Sequence, residues 1–401
     1  MDRSSTQWAI SNGVIRFFTA VVAVLAVATV VGLVVLWPGH VETTLAEGFA
    51  VDTQRAEVQR VEERLCPNFT QQTCQLVTVR LESGPDAGDD VRLQLNPRGG
   101  LDPDLDPGDD IRVTKGPDVR PGTEGVTGTG YTFNDFERRT PMLVLAAIFV
   151  AIVLLFARLR GALSLAGLAF SIAIVLLFVV PAILDDKPPL AVAVVGALAV
   201  ALITIPLAHG GGPKSLSALL GTAVALLLTA GLAVLFTELT HLTGLSSEEA
   251  TFLQLGQADL SLEGLLLAGM VIGALGVLDD VTISQASTVL ALRRANPSLR
   301  FRELFGRAMD VGRDHVSATV NTLVLAYVGA ALPILLLFSA TDLGVGDAVN
   351  FEIVAKEIVA TLVGSIGLIA AVPITTGLAG LLALSVAPDQ IEDGDGHRRA
   401  H

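Results

Sequence analysis

The chain has 401 residues, 51% of them hydrophobic and only 16% charged, with a mean hydropathy of +0.62 and a net charge of −14. So few charges cannot clothe the two or three water-soluble domains this length would allow, and the apolar residues come in blocks of twenty or more. The composition excludes a cytosolic enzyme. The acidic balance argues against nucleic acid as a partner, and two cysteines make neither a disulfide-dense scaffold nor a four-ligand zinc site.

The first apolar block runs from about Val14 to Trp37, behind Arg3 and Arg16. It is longer than the apolar region of a signal peptide and no small-residue cleavage site follows, so an uncleaved signal anchor is expected. Residues 38–139 are the only long polar segment, with 19 acidic and 11 basic residues. Alternating runs at 77–81, 91–95 and 111–113, separated by turn signals such as Pro85 and Pro107-Gly108, predict short strands of a small OB-like barrel. Further apolar blocks lie near 140–157, 162–184, 189–208, 215–237, 262–287, 316–338 and 358–386. Each is near or above the roughly 20 residues that cross the hydrocarbon. The expected fold class is an all-α polytopic membrane bundle of about eight transmembrane helices carrying an extracytoplasmic β-rich domain. The expected divisions are 1–37, 38–139, 140–387 and a disordered cytoplasmic tail at 388–401.

Lysines and arginines set the orientation. With the N-terminus cytoplasmic, inside loops carry Arg158, Arg160, Lys214 and the run from Arg293 to Arg313, and the tail adds Arg398 and Arg399. Outside loops then carry Lys187 and Lys356, and 238–263 has five acids and no base. The expected location is the cytoplasmic (inner) membrane, multi-pass, with both termini inside and the bilayer as the main partner.

Several motifs have a bland reading beside a chemical one. Cys66 and Cys74 close a short loop in the outside domain, where a structural disulfide is favoured over a redox pair because the spacing is not Cys-x-x-Cys. The acidic run from Asp102 to Asp110 lacks EF-hand spacing and reads better as a solvated turn than as a calcium loop. Gly210-Gly211-Gly212-Pro213-Lys214 lacks the phosphate-loop frame. No motif calls for a cofactor or a metal. Residues 295–314 alternate apolar and arginine positions at helical spacing, which suits a membrane surface with anionic lipid.

The informative segment is 262–287, which carries Asp279 and Asp280 between Gly276 and Thr282. Counted from Glu263 to Arg293 as the two edges, a continuous helix places the pair about 24–26 Å from the outer edge, near the midplane. Intramembrane carboxylates cost a few kcal/mol and mark function by default. Proton or ion coupling is weighed against an interfacial position and against a structural acceptor role. Adjacent residues diverge by about 100°, so the two carboxylates can face different neighbours. Asn321 and Thr322 are the expected responding partners, and Thr282, Ser284, Tyr327, Ser365 and Thr375 are secondary polar candidates.

Three stretches, Gly273-Ala-Leu-Gly276-Val-Leu-Asp-Asp280-Val, Asn321 to Gly329, and Gly364-Ser-Ile-Gly367 with Pro373-Ile-Thr375, resemble the YibE/F-like membrane protein family over roughly 140–386. The resemblance implies one aspartate at the position of Asp280, which makes Asp280 the expected coupling carboxylate and Asp279 the second, and an architecture rather than a chemistry. The order of Asp279-Asp280-Val, Phe301-Arg302-Glu303-Leu304 and Asn321-Thr322 also looks distantly like SecD/SecF, in which carboxylates of the equivalent helix take up protons. Together these readings predict a non-enzymatic, proton- or cation-coupled permease of unknown substrate. The alternative is a membrane scaffold, assembly or protein-export accessory factor that binds a partner through its outer β domain. An intramembrane aspartyl protease needs carboxylates on two helices, and only one carries a convincing pair.

Overall fold

The computed structural model describes residues 3–39, 52–65, 73–95, 103–116, 130–246, 248–256, 260–341 and 344–386. The chain divides into two compact units, Thr44–Leu155 and Met1–Thr43 with Phe156–His401.

The first unit is a five-stranded antiparallel sheet of β1 (Thr53–Leu65), β2 (Thr73–Leu81), β3 (Asp90–Leu95), β4 (Asp110–Lys115) and β5 (Tyr131–Phe136). Its order is β3-β2-β1-β4-β5, and β3 and β5 approach one another, so the sheet curls into a half-barrel. Alternation explains the curl's inner face. Val91, Leu93 and Leu95 are buried while their neighbours are exposed, and they meet Val77, Val79, Ile111 and Val113 in one core. The three predicted strands are all present. The central strand β1 was hidden in the sequence because its outward positions are charged (Glu57, Arg60, Glu62, Arg64) around a short inward set, Ala56 and Val58. The acidic turn is held by protein groups: Leu105 N–H donates to Gln75 Oε1 at 3.2 Å, Gln75 Nε2 donates to Asp104, and Asp106 N–H donates to Asp109 at 2.9 Å. Cys74 is disulfide-bonded; Cys66, the chain's other cysteine, lies outside the described residues, as does Asp102.

Glu137, with its side chain 3% exposed, ties β5 to β1 and β4. Its Oε1 accepts from the Arg139 N–H at 3.0 Å, and its Oε2 accepts from Arg112 at 2.9 Å and Arg55 at 3.2 Å. These donors, the backbone one first, hold its carboxyl below the usual range, and Lys115 and Tyr131 do the same to Asp86. A carboxylate whose folded pKa is depressed stabilises the fold above its unfolded pKa and loses that contribution as pH falls through the folded value. The sheet is therefore expected to keep full protection above about pH 5 and to lose it progressively below about pH 4. Protection factors of residues 52–136 by hydrogen exchange in the whole chain measure this, and a flat profile down to pH 3 would refute it. Glu137→Gln should lower protection at neutral pH and flatten the acid dependence.

The second unit is helical because backbone polar groups inside lipid must be satisfied within the segment. Its elements are α1 (Arg3–Val35), α2 (Arg139–Leu184, counted in this unit from Phe156), α3 (Pro189–His209), α4 (Pro213–Thr240), α5 (Glu248–Gly256), α6 (Leu262–Ala295), α7 (Phe301–Ala330), α8 (Leu332–Ala340), α9 (Val345–Asn350) and α10 (Glu352–Ser385). Among the described residues six helices are long and apolar enough to cross a membrane, or seven if α7 and α8, bent by 60°, form one span. The expected blocks 140–157 and 162–184 lie in one 46-residue helical stretch that is kinked between them, at Arg158 with φ 52° and ψ −126°. The 316–338 block, conversely, is broken near Ala331, where Pro333 at the start of α8 cannot donate a backbone hydrogen bond.

Small residues bring the helices close. A Cβ at Gly221 of α4 would overlap Thr375 Oγ1 of α10, and one at Gly367 of α10 would overlap Thr229 Oγ1 of α4. Both pairs are separated by eight residues in opposite directions, so α4 and α10 run antiparallel in near-backbone contact. The amphipathic 295–314 segment does not spend its apolar side on lipid. Leu304, Ala308 and Gly312 are buried, and Phe301 and Phe305 lie over Gly380 and Gly377 of α10, leaving Arg302, Arg307 and Arg313 exposed.

Candidate functional site

Helix α6 is the centre of the helical unit and touches α3, α4, α7 and α10. Ser261 caps its first turn by accepting from the Gly264 N–H at 3.0 Å, and the chain leaves it at Asn296-Pro297. Gly264 lies against Pro189, the first residue of α3, and Asp279 lies beside Thr204. Both helices advance fifteen residues between these contacts, so α3 and α6 run parallel. Thr204 is five residues, or about 7.5 Å, before the end of α3 at His209. The aspartates therefore sit about three quarters of the way along α3 rather than at its middle.

At this level a cavity of about 390 Å³ opens between α2, α3 and α6. Its walls are mostly apolar, with polar groups from Ser164, Ser171, Thr204, His209 and Asp279. Asp279 is half-buried, and its Oδ1 is enclosed without a hydrogen-bond partner. Thr204 Oγ1 is also enclosed without one. Thr204 is the side-chain hydroxyl beside the carboxylate, and both residues line the cavity. A carboxylate and a hydroxyl on one cavity wall can receive a small hydrogen-bonding or cationic ligand.

The backbone under Asp279 is held firmly. Thr282 is fully buried and donates to the Asp279 carbonyl at 3.1 Å while bonding Thr222 of α4 at 2.7 Å. Three residues on, the buried Gln285 amide donates to the Ala308 carbonyl of α7 at 2.9 Å and to Thr376 Oγ1 of α10 at 2.7 Å. One face of α6 is thus bonded to three helices within two turns of the aspartates.

Asp280 does not line the cavity; it is exposed, on a stripe of α6 with Gly269, Gly273 and Gly276, and is among the charges around His209. The proposed partners do not gather around the pair. Asn321 and Thr322 are exposed on α7, and the Thr322 hydroxyl donates to its own Ala318 carbonyl at 3.0 Å. The α7 residues that face inward are Leu323, against Gly364 of α10, and Tyr327, whose hydroxyl is near Gly273. The helical step turns Asn321 and Thr322 off that face. Ser284 is half-buried and does not line the cavity. Ser365 and Thr375 are buried on α10 with hydroxyls lacking partners, Thr375 against Gly221 rather than near the aspartates. Thr204, His209 and Gln285 were not singled out from the sequence. Gln285 alone had a signal, since it follows Thr282 by three residues on an otherwise apolar helix face.

A protein-family model for YibE/F-like proteins matches residues 145–385, which include every helix that lines the cavity or packs on α6. No curated protein and no solved structure matches the chain, so nothing carries the likeness to SecD/SecF further. With 241 of its 401 residues covered by that match, the chain belongs to the YibE/F-like family.

Proposed function

We propose that this protein is a proton- or cation-coupled permease, not an enzyme, in which Asp279 is the coupling carboxylate. The observation that carries the reading is the half-buried Asp279 on the wall of the largely apolar cavity between α2, α3 and α6. A carboxylate so placed changes its hydrogen bonding whenever it gains or loses a proton, and the helices that meet at the cavity are the elements such a change would bias. Asp280, on the exposed stripe, is assigned the lesser role.

The proposal includes a topology. With arginines kept inside, both termini are cytoplasmic, the α3–α4 turn is cytoplasmic, and the 38–139 segment is extracytoplasmic in the inner membrane. The strand order and half-barrel curl support an OB-like outer domain. The 46 residues of α2 are about twice the roughly 20 that one crossing needs, so the break at Arg158 is proposed to divide two spans and give eight crossings.

The test is the whole protein in proteoliposomes that enclose a pH-sensitive dye, challenged with an imposed potential. Proton movement above empty vesicles that Asp279→Asn removes supports the reading. If Asp279→Asn is silent while deletion of residues 40–138 abolishes function in cells, the scaffold or assembly-factor reading replaces it.

A further inference from the structure

We infer that His209 is the residue through which Asp279 exchanges protons with the solution at the α3–α4 end of the bundle. The inference rests on the proposed role of Asp279 and adds the route by which its proton arrives.

Three observations converge on His209. It is the last residue of α3, exposed at that end of the bundle, and it lines the same cavity as Asp279. Asp279 lies beside Thr204, about 7.5 Å deeper along α3. The space between them is part of a cavity of about 390 Å³, large enough for several waters at roughly 30 Å³ each. A water needs two to four polar partners to stay in such a place. Thr204 and Asp279 line this cavity, and Ser164 and Ser171 line the same walls. The Ser171 hydroxyl donates to the Gly167 carbonyl at 3.0 Å, which leaves its oxygen lone pairs as acceptors.

Direct contact between imidazole and carboxylate is not required. In the transfer an imidazolium N–H bond breaks, a bridging water accepts that proton and releases another, and an O–H bond forms on Asp279. Imidazolium and carboxylate become neutral imidazole and carboxylic acid, so charge balances without a further reactant. Imidazole suits the outer station because one ring nitrogen can accept a proton while the other releases one. The charged groups around it are Lys214 from α4, Arg160 from α2 and Asp280 from α6, with Asp279 across the cavity. His209 is thus a proton-exchange residue, and Asp279 is the residue it serves.

The experiment follows the infrared carboxylic-acid band of Asp279 in the full-length protein in lipid after a rapid pH drop. Asp279→Asn identifies the band. His209→Gln should slow the band's rise by about tenfold or more while leaving its final amplitude unchanged. His209→Gly should be equally slow, and imidazole in the buffer should restore the rate, which a merely structural role for His209 would not permit. If the band rises at the wild-type rate in both variants, the relay is overturned while the role of Asp279 stands. If Asp279→Asn removes no band, the underlying reading fails instead.

Discussion

Replacing Asp279 by asparagine should reduce proton movement by at least about tenfold, equivalent to roughly 1.4 kcal/mol, while the protein remains folded. Asparagine matches the shape of aspartate and keeps the cavity walls intact, but it cannot take up a proton. The Thr282 bond to the backbone carbonyl of residue 279 does not involve the side chain, so the substitution leaves α6 attached to α4. Asp280→Asn is the control. Its side chain faces the exposed stripe, and its loss should change the rate by no more than about twofold on the same scale. Dye-loaded proteoliposomes measure both variants side by side. Wild-type flux in Asp279→Asn, or a larger loss in Asp280→Asn, would move the coupling site to the outer face of α6.

The second large effect is on stability. Gly221→Ala should destabilise the helical unit by about 1–3 kcal/mol, because the new methyl must occupy the space of the Thr375 hydroxyl. The helices cannot simply separate, since Gly367 meets Thr229 on the same α4–α10 seam. The physical claim is tested by rescue. In the double variant Gly221→Ala with Thr375→Gly, the nearest remaining Thr375 atom to the new methyl is its Cα at 3.4 Å, an ordinary contact. Thermal unfolding in detergent should therefore show the double variant recovering most of the loss caused by the single one. Equal instability in both would mean that this seam does not limit packing. A mirror experiment at Gly367 and Thr229 should behave the same way.

Much of the architecture was legible because partition between oil and water is a property of each segment. Apolar blocks long enough to span became helices, and alternation at 77–81, 91–95 and 111–113 became strands. Strand β1 was illegible because, in a sheet with one wet face, charges fill most of its outward positions. The break at Arg158 was legible as the arginine-bearing interruption between two apolar blocks, whereas the bend near Ala331 lies inside a block apolar enough to read as one span and is marked only by Pro333.

The candidate site was half legible. A carboxylate pair in an apolar helix stands out in any sequence, but its surroundings do not. Thr204 and His209 sit seventy or more residues from Asp279 and look like ordinary members of α3 until that helix is laid parallel to α6. Asn321 and Thr322 were attractive by depth alone, and the rotation of α7 turned them outward.

What the amino-acid sequence determined unaided is the membrane class, the approximate spans, the β-rich insert and the presence of two costly acids. Tertiary structure alone decided which acid meets a cavity, because adjacent residues on a helix diverge by about 100° and only neighbouring helices define inside. It also decided that α7 spends its apolar stripe on α10 and that Gln285 joins three helices. Such outcomes depend on relative rotation and on close approach at glycines, which no single segment encodes.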